Sequence, residues 1–408
     1  MRRPLELLAS ALRSPAVRSA SILAAGGVGF ALGNVLLARI LPAADYGAVS
    51  LLLSLIQVGA ALGTLGLPTL VNRHRLHATA QVLRYTSILG ALGMVATVLL
   101  AIYFYDLTSA LLAVLAATTV LAAMGRVAGA VLQSEQRFGT SMVLTQIHNW
   151  LLLASVPVVF MQERRSAIAV ALVILCSYVL SSIVGWRLAR RAGGRDGGAL
   201  SLPLLWSEGL SAAGFSLAIN IFFQLDRLVI GRLLSLEDLA AYAVVAAIAG
   251  SAFRMLQVGA GYTLTPRLRA VVARGEAMAL LRHEAAIVFG LGILATPILL
   301  ALTPWLVDRF LARHLDSSLD LVVAVIAVGF VRLWEGFSAA VVNAIGSPRE
   351  LSLLSYLAWS ALAISLLAAA VGSRQGLVGA VYGLGIGWSV MAIGATALAH
   401  RALHRLQG

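Results

Sequence analysis

The sequence predicts an all-α polytopic membrane protein of twelve transmembrane helices in two six-helix lobes. Three observations predict it. Apolar runs of spanning length recur along all 408 residues, of which 60% are hydrophobic and 12% charged, and mean hydropathy is +0.93. Crossing the hydrocarbon takes about 20 apolar residues per helix, and the runs do not alternate as barrel strands do. Arginines cluster on alternate connections. A short motif also recurs at mid-chain.

Twelve spans are expected at 20–40, 48–71, 85–104, 109–132, 142–161, 167–186, 209–231, 239–264, 285–306, 321–344, 351–371 and 377–398. All 30 basic residues are arginine, a usage that fits G+C-rich coding. With the N-terminus inside, twenty of them fall on the cytoplasmic loops, tails and helix ends, Arg126 included, against seven outside and three (Arg227, Arg254, Arg332) within spans. The positive-inside rule then places both termini in the cytoplasm, with Arg164 and Arg165 as a local exception. It also accounts for the net charge of +13 without nucleic acid. Residues 4–13 carry Leu5, Leu8 and Leu12 on one face and are expected to lie along the membrane surface, with no cleaved signal peptide. Cys176, the single cysteine, lies in a span and is expected to be a small packing residue.

The stretch RLARRAGGRDGGALSLPLLWSE (187–208) is rich in Gly and Arg. It is expected to link an N-terminal lobe, residues 1–187, to a C-terminal lobe, residues 209–408, with the linker at 188–208. PRLRAVVARGEAMALLRHE (266–284) mixes aliphatic residues with Arg and is expected to form an amphipathic surface helix. ARILPAADY (38–46) and GRLLSLEDL (231–239) share a small residue, Arg, an aliphatic residue, Leu, three further residues and Asp. Both follow the first helix of their half on the same side. That implies parallel repeats about a pseudo-two-fold along the membrane normal.

At these residues the chain resembles the polysaccharide and O-antigen flippase branch of the multidrug/oligosaccharidyl-lipid/polysaccharide exporter superfamily. LARILPAADYGAVSLLLSL, QLDRLVIGRLLSLEDLAAYAVV, TPRLRAVVARGE, VVNAIGSPRE and GLVGAVYGLGIGWSV carry the resemblance in order and spacing. It implies two lobes around a central cavity and alternating access that turns a polyprenyl-pyrophosphate-linked glycan across the bacterial inner membrane. The chain is short for the peptidoglycan-precursor branch, which tends to carry two extra helices. Membrane lipids, and the polymerase and other polysaccharide-assembly proteins, are the partners implied. No cofactor is expected, and a monomer is favoured.

Charge within a span is costly and marks candidate sites. On the seventh span Ser216, Asn220, Gln224 and Arg227 form one polar stripe, and Asp226 points about 100° away. Arg227 either lines a cavity or snorkels to headgroups. On the eighth, Gly250, Ser251, Arg254, Gln257 and Gly261 share a face, and on the tenth Arg332, Glu335, Gly336 and Asn343 do. Arg332 and Glu335, at i and i+3, are expected to pair within the helix. Arg126 is expected to snorkel at the end of the fourth span, and Asn34 aligns with Arg227 in the repeat. The candidate substrate-binding residues are therefore Arg254, Arg332, Arg227, Asn220, Gln224, Gln257, Asn343, Asn34 and Arg126. Candidate counter-ions or coupling groups are Asp226, Glu335 and His148, the last more simply a hydrogen-bonded structural histidine. Trp334 is placed to pack or to stack on a sugar.

With Arg126 at its helix end counted in, Arg126, Arg227, Arg254 and Arg332 against Asp226 and Glu335 leave the spans at +2, which suits a pyrophosphate bound by guanidinium. A cation-coupled multidrug exporter of the same superfamily would present net acid. A membrane glycan polymerase or ligase would need a larger outer loop than 307–320. There is no Walker A motif, no metal-ligand cluster and no nucleophile–base constellation, so the chain is expected to be no enzyme.

Overall fold

The computed structural model describes residues 15–162, 165–192, 210–270, 274–311 and 318–405. Among these every regular element is helical. In chain order they are α1 (Pro15–Ile40), α2 (Ala43–Leu62), α3 (Leu67–His74), α4 (Ala80–Phe104), α5 (Ser109–Ser134), α6 (Phe138–Phe160) and α7 (Ala167–Ala192). Then come α8 (Leu210–Leu233), α9 (Leu236–Val245), α10 (Ser251–Ala270), α11 (Arg274–Leu311), α12 (Leu319–Ile345), α13 (Pro348–Gly372) and α14 (Gly376–Arg405). Ten stretches are long and apolar enough to span. The 58-residue stretch Pro348–Arg405 among them is two helices, α13 and α14, and α1 adds its apolar part Ala25–Ile40. Among the described residues the spans therefore number twelve.

α4 shows how a lipid-facing helix divides its residues. On α4 the buried positions are Val82, Thr86, Gly90, Gly93, Thr97 and Ala101. Its outward stripe is Ile88, Leu92, Val95, Leu99 and Ile102, each 47–63% exposed. Lipid solvates large apolar side chains, so small residues take the helix contacts and let backbones approach. A Cβ on Gly93 would lie 2.5 Å from the backbone of Gly63, which explains the glycine at 93. On α14 a Cβ on Gly383 would stand 2.4 Å from Ala368 O of α13. Cys176 belongs to the outward set. It is exposed, which corrects its expected packing role.

The chain divides into two compact units, Met1–Gln224 and Leu225–Gly408. In the first, α1 packs on α6, and α5 is packed by α2, α4 and α7. In the second, α14 packs on α12 and α13, and α10 packs on α12. The repeat read from sequence coincides with matched helix ends. α1 stops at Ile40 and α2 starts at Ala43, while α8 stops at Leu233 and α9 starts at Leu236, an offset of 193 residues in each case. The equivalent aspartates, Asp45 and Asp238, serve different ends. Asp238 closes a capping box with Ser235. Asp45 Oδ1 accepts from Ala167 N at 3.1 Å and so caps the start of α7.

Three expectations need correction. The predicted span 48–71 is two helices, because Leu65 (φ 41°) and Gly66 (φ 72°) turn left-handed between α2 and α3. The predicted span 239–264 contains a π turn at Ala246–Gly250. No separate surface helix occupies 266–284. Its residues are the end of α10 and the start of the 38-residue α11, with 271–273 outside the described residues. The proposed surface segment 4–13 and most of the linker 188–208 also lie outside the described residues.

Candidate functional site

Among the described residues each unit holds a polar cluster built around an arginine of a span. In the first, Arg126 is not free to snorkel. Its Nη2 donates to Gln57 Oε1 at 2.5 Å and to Gln57 O at 3.2 Å. Gln57 Nε2 in turn donates to Tyr178 Oη at 3.1 Å. The ring of His148 stacks on Tyr178 with centroids 5.3 Å apart. The helices α2, α5, α6 and α7 are thus joined by one polar chain. In place of the expected snorkelling, the guanidinium is turned to these protein acceptors. Arg126 Nη1 also reaches Asn220 Oδ1 at 3.5 Å, and Asn220 Nδ2 donates to Ser216 O at 2.7 Å.

Asn34 is 1% exposed and fully engaged. Its Nδ2 donates to Phe30 O at 2.8 Å and its Oδ1 accepts from Tyr46 Oη at 2.8 Å. It fastens α1 to α2.

In the second unit Asp226 is the hub. Its Oδ2 accepts from Tyr242 Oη at 2.5 Å and from Arg332 Nη2 at 3.2 Å. Its Oδ1 accepts from Arg227 N at 2.9 Å. The guanidinium of Arg332 lies 4.9 Å from the ring centroid of Trp388, a cation–π contact that fixes its plane. This replaces the expected Arg332–Glu335 pair. The Asp226 carboxylate faces Arg332 from α8, while Glu335 accepts from Gln257 Nε2 at 3.2 Å. Gly336 leaves room for Gln257, whose Cγ would be 2.8 Å from a Cβ there. Both span acids of this unit are therefore held by protein donors.

The remaining candidates divide by burial. Gln224 and Arg227 are buried, at 6% and 8% exposure. Asn343 is half-buried, while Arg254 is exposed. Trp334 is 40% exposed, and Trp388 rather than Trp334 is the tryptophan at the charged cluster.

Gln57, Tyr178, Tyr242 and Trp388 were not singled out from sequence. Gln57 and Tyr178 stand in otherwise apolar turns, LLLSLIQVGA and VILCSYVL, which is the signal available. Tyr242 was hidden by the π turn. In a continuous α-helix it would sit about 120° from Arg254, and the extra residue of the turn removes about 100° of that.

The twelve spans of the described residues make this a multi-pass membrane protein, and its fold is that of the MOP-superfamily transporters. An inward-facing multidrug resistance MATE family transporter of that superfamily superposes with a TM-score of 0.66 at 15% identity, covering 93% of this chain and 95% of that one. An outward-facing one gives 0.55 at 17%, covering 96% and 88%. A MOP-superfamily transporter from Pyrococcus furiosus, described as having a binding pocket of reverse polarity, gives 0.60 at 15%, covering 97% and 95%. No curated protein matches the chain. Residues 36–303 match the family described as polysaccharide biosynthesis protein, and the chain belongs to that family.

Proposed function

We propose that the protein is a flippase that carries a polyprenyl-pyrophosphate-linked oligosaccharide, an O-antigen, capsule or exopolysaccharide repeat unit, across the bacterial inner membrane by alternating access. Both termini are cytoplasmic, and the working unit is a monomer. The observation that carries this reading is the disposition of charge in the second unit. Asp226 and Glu335 accept from Tyr242, Arg332 and Gln257, and the base Arg254 is exposed. Acids so engaged offer little to an organic cation, and an accessible guanidinium attracts phosphate. Family membership supports a glycan rather than a drug as cargo.

The test is transfer of a labelled polyprenyl-pyrophosphate oligosaccharide by the protein in proteoliposomes. Arg254→Ala and Arg332→Ala are expected to slow it by about tenfold or more, the worth of one lost charge-assisted contact. Wild-type rates in both variants remove the phosphate site. Export of organic cations without glycan transfer overturns the reading.

A further inference from the structure

Arg332 is held by a half-filled fork. Guanidinium Nε–H and one Nη2 N–H project in parallel from a single edge, the edge that grips two oxygens of a carboxylate or phosphate. Asp226 takes only the Nη2 half, at 3.2 Å. Its other oxygen is turned away to Arg227 N. Arg332 Nε is buried and without a hydrogen-bond partner. Trp388, 1% exposed, holds the guanidinium plane, so the vacant donor keeps its direction. Asp226 meanwhile has a second, shorter tie to Tyr242 at 2.5 Å.

We propose that Asp226 is a competitor for the substrate's anionic head: pyrophosphate oxygens displace its carboxylate from Arg332 and fill the whole fork, and Tyr242 is the positioning residue that holds Asp226 when it is displaced. Without substrate the acid neutralises a charge that would otherwise be left uncompensated inside the helix packing. With substrate, a one-point contact is exchanged for a two-point one. This rests on the pyrophosphate reading above, and it adds the means by which the site selects a paired-oxygen anion.

The probe is farnesyl pyrophosphate, with farnesyl monophosphate as control, titrated into the purified full-length protein in nanodiscs. Asp226→Asn keeps shape and removes the competing charge, so pyrophosphate binding tightens by about tenfold. Tyr242→Phe removes the alternative partner of Asp226, ties the acid more firmly to Arg332 and weakens binding by about threefold. Arg332→Lys has no fork, and in that background Asp226→Asn brings no gain. In transport the Asp226→Asn variant lowers KM and also lowers kcat, since the head is released more slowly. Opposite signs at two touching residues are what a purely structural role does not produce. Shifts of the same sign in both variants, or unchanged binding in Asp226→Asn, overturn the proposal while leaving the flippase reading intact. If Asp226→Asn does not fold, stronger or unchanged binding in Tyr242→Phe overturns it. A wild-type protein that ignores farnesyl pyrophosphate overturns both.

Discussion

Tyr46 donates its hydroxyl to Oδ1 of Asn34 at 2.8 Å and so fastens α2 to α1. The second unit repeats the device, with Tyr242 donating to Asp226 and fastening α9 to α8. In the frame of the 193-residue offset, Asp226 corresponds to Gly33 and Tyr242 to Val49. Donor and acceptor have both moved along their helices while the tie persists. The same fold-level fastening is neutral in one half and charged in the other.

Removing the neutral tie should affect stability and leave anion binding alone. Tyr46→Phe strands a buried carbonyl and is expected to cost about 1–3 kcal/mol, read as a lowered midpoint in thermal unfolding of the detergent-solubilised protein. Asn34→Ala is expected to lower the midpoint similarly. Neither should change the affinity for farnesyl pyrophosphate. A specific loss of affinity in Asn34→Ala would return that residue to the substrate site.

Arg126 is fixed by neutral oxygens of Gln57. Gln57→Leu removes the side-chain acceptor and leaves a guanidinium short of a partner inside the first unit. The expected cost is about 2 kcal/mol. Gln57→Glu supplies an opposite charge at the same place and should raise the thermal midpoint above wild type. Equal midpoints for the Leu, Glu and wild-type proteins would mean that Arg126 turns to the headgroups instead.

Glycines in α14 and α11 should respond in opposite directions. Gly383→Ala drives a methyl against the backbone of α13, 2.4 Å from Ala368 O. Overpacking of this kind costs about 1–3 kcal/mol. Gly290→Ala meets nothing within 4 Å, and it should stabilise by about 0.5–1 kcal/mol through reduced chain entropy. Thermal unfolding of the two variants checks both signs.

The proposed orientation has a labelling test. Cys176 is exposed on the outer surface of its helix, so Cys176→Ser should shift stability by less than about 0.5 kcal/mol and provide a cysteine-free background. Asp106 and Arg137 are exposed beside α4 and α6. In intact spheroplasts an impermeant maleimide is expected to label Asp106→Cys and to miss Arg137→Cys until the cells are broken. The reverse pattern would invert the topology.

Hydropathy, the arginine distribution and the ARIL/GRLL repeat determined the class, the number of spans and the equivalence of the two turns after the first helix of each half, because period and composition are local properties of the chain. The turn at Leu65–Gly66 and the π turn at Ala246–Gly250 were not legible. Both depend on how neighbouring helices pack against an otherwise continuous apolar run. The sequence also picked out the charged residues, since each is conspicuous in an apolar helix. It did not determine who holds whom. Helical spacing offered Glu335 to Arg332, only three residues away. The tertiary structure offered Asp226 from another helix, with Tyr242 and Trp388 beside it. An intramembrane guanidinium takes the acceptor that the packing of helices brings to its donors, and that choice is made across 106 residues of chain rather than along one turn.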